Sequence, residues 1–182
     1  VELRERFART PDDDLAYAAL RSALHEAKAY FELAEALEKR ASRDPDPRAS
    51  AALLAEAGLF LEAADRLERA RQAYQRAIEL DPRQALAANS VVRLGTDGRD
   101  VHRHLEFLER WLAKLVALGA SAEERADVHL AMARAASTLP GRIDRALAHF
   151  REAHGLDGEL VQALDEGLEV ARKARRSNDV RA

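Results

Sequence analysis

Residues 51–82 read AALLAEAGLFLEAADRLERARQAYQRAIELDP, and this stretch decides the architecture. Leu54, Ala57, Gly58 and Leu61 recur at spacings of three and four, which places them on one face of a first helix. Ala70 and Tyr74 mark the same face of a second helix, and Pro82, lacking the amide that a helix interior requires, closes the unit. Gly58 and Ala70 are small where two helices come close; a larger side chain would push the axes beyond a packing distance of about 8 to 10 Å. Such a pair cannot bury its own apolar faces, so it needs stacked neighbours.

The same punctuation recurs along the chain. Pro11, Pro45 and Pro82 follow helical stretches in similar settings, RFARTP, ASRDPDP and IELDP. The first interval matches a helix-pair repeat of about 34 residues, and the second is longer by about three, inserted at Pro45, Asp46 and Pro47. On these residues, 51–82 resembles one tetratricopeptide repeat, whose pattern is W-x2-L-G-x2-Y in a first helix, A-x3-F in a second and a closing Pro. Leu54, Ala57, Gly58 and Leu61 fall on the first-helix positions, and Ala70, Tyr74 and Pro82 on the second-helix ones. The resemblance implies an all-α, right-handed α-solenoid of antiparallel helix hairpins, with about four helix pairs plus a capping helix, in one segment spanning 1–182.

The units are expected at about 11–45, 48–82, 83–118 and 121–157, with the cap at 159–176. In the first, Asp12, Asp13 and Asp14 can cap a helix near 13–27 that carries Tyr17, Leu20 and Leu24, and a partner near 30–43 carries Tyr30, Leu33 and Leu37. Leu33 and Arg40 depart from the small residues the family favours there. In the third, a helix over 83–94 ends at Gly95, Gly95-Thr96-Asp97-Gly98 turns, and a helix from Asp100 carries Val101, Leu105, Leu108, Trp111, Leu112 and Leu115. Ser121 with Glu124 spells a capping box before 122–138. The resemblance returns at Ala146-x3-Phe150, with Gly158 in place of the closing proline, and Leu160, Leu164 and Leu168 form the stripe by which the last helix covers the end of the stack.

Composition narrows the functions. With 182 residues, 47% hydrophobic and 34% charged, the chain can build a core without staples, and zero cysteines exclude disulfides and thiolate metal sites. Basic and acidic residues number 29 and 32, an interspersed balance that argues against a nucleic-acid footprint over the whole chain. No apolar run reaches the roughly 18 residues of a membrane span, and no signal peptide opens the sequence, so a cytoplasmic location is the expectation. The chain begins at Val1, and VELRERF reads as the tail of a helix, so it reads as an excerpt of a longer protein and a periplasmic location stays open.

Sites of chemistry are sparse. No two histidines among His25, His102, His104, His129, His149 and His154 stand at the i,i+4 spacing of a helical zinc pair, so the imidazoles are expected half-buried or facing solvent, with no metal and no cofactor. No phosphate loop or nucleophile elbow occurs, and no catalytic residue is expected. The basic run Arg172-Lys173-Ala174-Arg175-Arg176 suits a helix C-terminus. In the resembled family the concave surface is lined by first helices. The residues implied to face it include Ser22 and His25, Ala55, Leu59 and Glu62, Asn89 and Arg93, and Ala131. With Leu15, Ala18, Ala52, Leu86, Val128 and Ala135 on the same faces, small and apolar side chains dominate, a dry trough for a peptide or helix of a partner protein. Asn89 and Arg93, one turn apart, come closest to a carboxylate clamp. The implied function is a protein-interaction scaffold or adaptor. An oligomerisation segment whose groove is filled by itself or by neighbouring repeats is the alternative, and helical-repeat RNA binding a third.

Overall fold

The computed structural model describes residues 5, 7, 9, 10, 13–95 and 100–179, with side chains as far as 175. Among them run nine α-helices and no strand: α1 Asp14–Glu26, α2 Tyr30–Ala41, α3 Pro47–Ala63, α4 Leu67–Leu80, α5 Ala85–Leu94, α6 Val101–Ala117, α7 Ala122–Ser137, α8 Ile143–Leu156 and α9 Val161–Asp179. The chain divides into two compact units at Val91.

Local chemistry sets the helix starts. The Asp13 carboxylate accepts the amides of Leu15 and Ala16, both at 3.0 Å. Asp46 accepts from the Arg48 amide with Pro47 in the first turn of α3, where a missing N–H costs nothing. Ser121 and Glu124 form the reciprocal capping box, at 3.1 and 2.8 Å. Pro11, Asp12 and the Thr96-Asp97-Gly98 part of the expected turn lie outside the described residues.

In the first unit α3 packs between α2 and α4, and α1 rests on α2. Leu33, Leu37, Leu54, Leu61, Tyr74 and Ile78 are all fully buried, the aliphatic ones each worth about 1.5 to 3 kcal/mol on removal from water. Gly58 and Ala70 are buried as their size requires. A methyl group at Gly58 would overlap the Tyr74 ring, and Tyr74 donates its hydroxyl to Glu62 of α3 at 2.6 Å, which pins the ring in that notch. Arg69 on α4 ties back to α2 through Glu38 at 2.7 Å.

In the second unit α8 lies between α7 and α9, and α6 packs on α7. Leu105, Phe107, Leu108, Trp111 and Leu115 bury one face of α6, while α7 buries alanines at 126, 131, 133, 135 and 136. Gly95 does more than end a helix: a methyl there would overlap the ring of His104, a buried histidine rather than a half-exposed one.

The last helix is turned about its axis relative to the expected cap. Leu164 and Leu168 are 39% and 55% exposed. The face of α9 toward α8 carries instead Ala163, fully buried, and Gly167, whose added methyl would sit 3.3 Å from the Phe150 Cβ. Small residues allow the close approach, and Arg134 fixes the rotation by gripping Glu166 with two hydrogen bonds of 2.8 and 2.7 Å.

Candidate functional site

The first unit has a cleft between α1 and α3, the first helices of its two hairpins, with a volume of about 470 Å³. Its position follows from the packing: α1 and α3 both rest on α2, and the cleft lies between them. From α1 come Tyr17, Ala18, Arg21, Ser22, His25 and Glu26; from α3 come Glu56 and Phe60. Arg21 donates to Glu56 across the gap, an ion pair that ties the two walls together. At one end the His25 ring meets Phe60 edge-on, centroids 6.2 Å apart, and Tyr30 stacks on Phe60 at 5.9 Å. At the other, the Arg40 guanidinium lies 5.6 Å from the Tyr17 ring centre. Burial raises the Tyr17 pKa, against the opposing pull of the Arg21 charge, so the phenol stays protonated at neutral pH. Ser22 donates to Glu26 at 3.3 Å.

This cleft differs from the dry trough. Ser22 and His25 line it, but the α3 side is contributed by Glu56 and Phe60, one residue beyond Ala55 and Leu59. Ala55 is wholly buried between helices and Ala131 is 4% exposed, so neither has surface to offer a partner. Leu59 is exposed at 41% without lining the cleft. Glu62 is half-buried and accepts the Tyr74 hydroxyl, which commits it to holding the hairpin. Asn89 and Arg93 are both exposed on α5. The charged and aromatic lining of the cleft went unread because a helix turns by about 100° per residue, and an error of one position exchanges Ala55 for Glu56.

The second unit holds a feature the spacing of histidines could not show. His129 on α7 and His149 on α8 face each other with Nδ1 atoms 3.1 Å apart, one nitrogen donating to the other. Burial lowers the pKa of both, and the His129 ring adds to the effect on His149, which falls to about 4; both rings are neutral at pH 7. Among the described residues no group of three or more histidine, aspartate or glutamate side chains could hold a metal ion. Among them, too, no helix is long and apolar enough to cross a membrane.

No family model matches the sequence, and no curated protein matches it. Among solved structures, the chain is similar to MamA, residues 41 to the end, from Desulfovibrio magneticus RS-1. The TM-score is 0.50 with 16% identity, covering 91% of this chain and 93% of that one. At such identity the likeness speaks to the fold: with the helix order above, it shows an all-α helical repeat of tetratricopeptide type.

Proposed function

We propose that this chain is a non-catalytic protein-interaction module that holds a short segment of a partner protein in the cleft between α1 and α3. The observation that carries it is the cleft itself, walled by the first helices of successive hairpins that both rest on α2 and are tied to each other by the Arg21–Glu56 pair. A surface already shaped before binding loses little conformational freedom when it is occupied. Membership in the tetratricopeptide-repeat family belongs to the same proposal and rests on the pattern in 51–82 together with the fold.

The lining describes the guest. A volume of about 470 Å³ takes a few side chains of an extended peptide or one helical turn rather than a long helix. An apolar or aromatic side chain would lie against Phe60 and His25, and a hydrogen-bonding group would meet Arg21 and Glu56. Nucleic acid is less well supported, because Arg21 is paired with Glu56 and leaves little positive field for phosphates.

Random peptides displayed on phage and selected on the 182-residue protein supply a probe. Ser22→Trp places a large ring in the cleft from an exposed position and leaves the core alone. Calorimetry is expected to show that this change weakens the selected peptides at least about tenfold, as loss of a central contact does, while the thermal melt stays where it was. Peptides bound equally by wild type and Ser22→Trp would place the binding surface elsewhere.

A further inference from the structure

Helix α9 presents an apolar stripe that its own unit leaves uncovered. Val161, Leu164 and Leu168 are 56%, 39% and 55% exposed, and their spacing of three then four continues through half-buried Ala171. That is the seam of a two-helix coiled coil, in which such residues pack against their like on a second helix. An adjoining side of α9 is already occupied, by Ala163, Gly167 and the Glu166 held by Arg134.

Charge selects the occupant. The first half of α9 carries Asp165 and Glu169 with Glu159 just before it, and the second half carries Arg172, Lys173 and Arg175. Two α9 helices running in the same direction would set acid against acid and base against base. Running in opposite directions, each acidic half meets a basic one. We propose that α9 is a self-association surface on which two copies of this chain pair through antiparallel α9 helices about a two-fold axis.

The register follows from the seam. Leu164 packs against the partner's Leu168 and Val161 against the partner's Ala171, each contact occurring twice by symmetry. In an antiparallel pair the residues flanking the seam on one side meet each other, which brings Asp165 to the partner's Arg172 on the side facing away from α8. Both are exposed, and neither takes part in an ion pair among the described residues. One helix per copy buries less than the roughly 1,000 Å² of a stable interface, so the dimer forms and dissociates with concentration. This surface belongs to the second unit and is independent of the cleft between α1 and α3.

Sedimentation equilibrium of the 182-residue protein from micromolar to millimolar concentration tests it. The wild type is expected to pass from monomer to dimer. Leu164→Glu with Leu168→Glu, both at exposed positions, is expected to remain a monomer with an unchanged far-ultraviolet spectrum. Asp165→Arg alone and Arg172→Asp alone should each weaken dimerisation, and the two combined should restore it, an outcome that a general loss of stickiness does not produce. A wild type that stays monomeric throughout overturns the proposal, as does a dimer that survives the leucine replacements or charge reversals that do not compensate. Ser22→Trp should leave the association constant as it was, so failure of the cleft and failure of this surface remain distinguishable.

Discussion

Hairpins α3–α4 and α7–α8 bury the same kind of pair at the same spacing, Ala70 with Tyr74 and Ala146 with Phe150, yet they bring their helices together by different means. In α3 a single glycine opens a notch for the Tyr74 ring, and Glu62 locks the ring by its hydroxyl. Helix α7 has no glycine and relies on a run of buried alanines, while a shared imidazole hydrogen bond joins it to α8. A notch concentrates the fit at one point; an alanine surface spreads it over several turns. The first arrangement should therefore fail abruptly at one residue and the second gradually.

The largest expected effect is at that point. Gly58→Leu forces a branched side chain into space already filled by a fully buried ring, and a cost of roughly 1 to 3 kcal/mol or more is expected from overpacking. Gly58→Ala should also destabilise, because the hydrogen bond to Glu62 prevents the Tyr74 ring from swinging away. Gly167, on α9 beside Phe150, makes the contrast. An added methyl there meets the Phe150 Cβ at 3.3 Å, a contact relieved by a small shift, and alanine gains up to about 1 kcal/mol over glycine within a helix. Gly167→Ala is expected to be neutral or mildly stabilising. Equal losses for Gly58→Ala and Gly167→Ala in urea titrations would dissolve the distinction between notch and surface.

What could be seen in the sequence divides along the same line. Features written in neighbouring residues were legible: the Ser121–Glu124 box, the aspartate cap of α1, the buried faces of α4 and α6, and the close approach at Gly58. Features that depend on helix rotation were not. Ala55 and Leu59 stand one position from Glu56 and Phe60, which line the cleft, and the leucines of α9 turn outward because Arg134 grips Glu166 from another helix. Contacts between helices that no small residue announces were hidden, since nothing local marks His129 as the neighbour of His149, twenty residues on. Periodicity says that a face exists. Which neighbour it meets is decided by packing between elements.

The imidazole pair gives a second, smaller test. With the folded pKa of His149 near 4 against the ordinary 6.5, the unfolded chain takes up the proton first. Stability is then complete above about pH 6.5 and is lost progressively as the pH falls toward 4. His129 and Arg125 of α7 and Arg145 and Glu152 of α8 are the charged and titrating groups around the pair, and Glu152 alone favours protonation. Half-exposure of the rings screens the effect. Thermal melts between pH 6.5 and 5, above the range in which carboxylates titrate, should fall for the wild type and fall less for His149→Gln. Parallel curves would mean that the pair contributes nothing to the hairpin's acid sensitivity.

The smallest effect separates the units by their loops. After α1 and after α3 the left-handed position is held by Lys28 and Asp65, with φ of 53° and 58°, whereas the second unit uses Gly119 and Gly141, with φ of 67° and 72°. A side chain in that conformation costs about 1 to 2 kcal/mol, and glycine's extra freedom in the unfolded chain returns part of it. Lys28→Gly should accordingly raise the stability of the first unit by no more than about 1 kcal/mol. Gly141→Ala should lower that of the second by about as much, with backbone strain as its whole cause, because a methyl at Gly141 touches nothing within 4 Å. Opposite signs from the two substitutions would show that the loops, unlike the hairpin interiors, obey one rule in both halves of the chain. A loss on Lys28→Gly would instead mean that the lysine makes a contact outweighing its strained backbone.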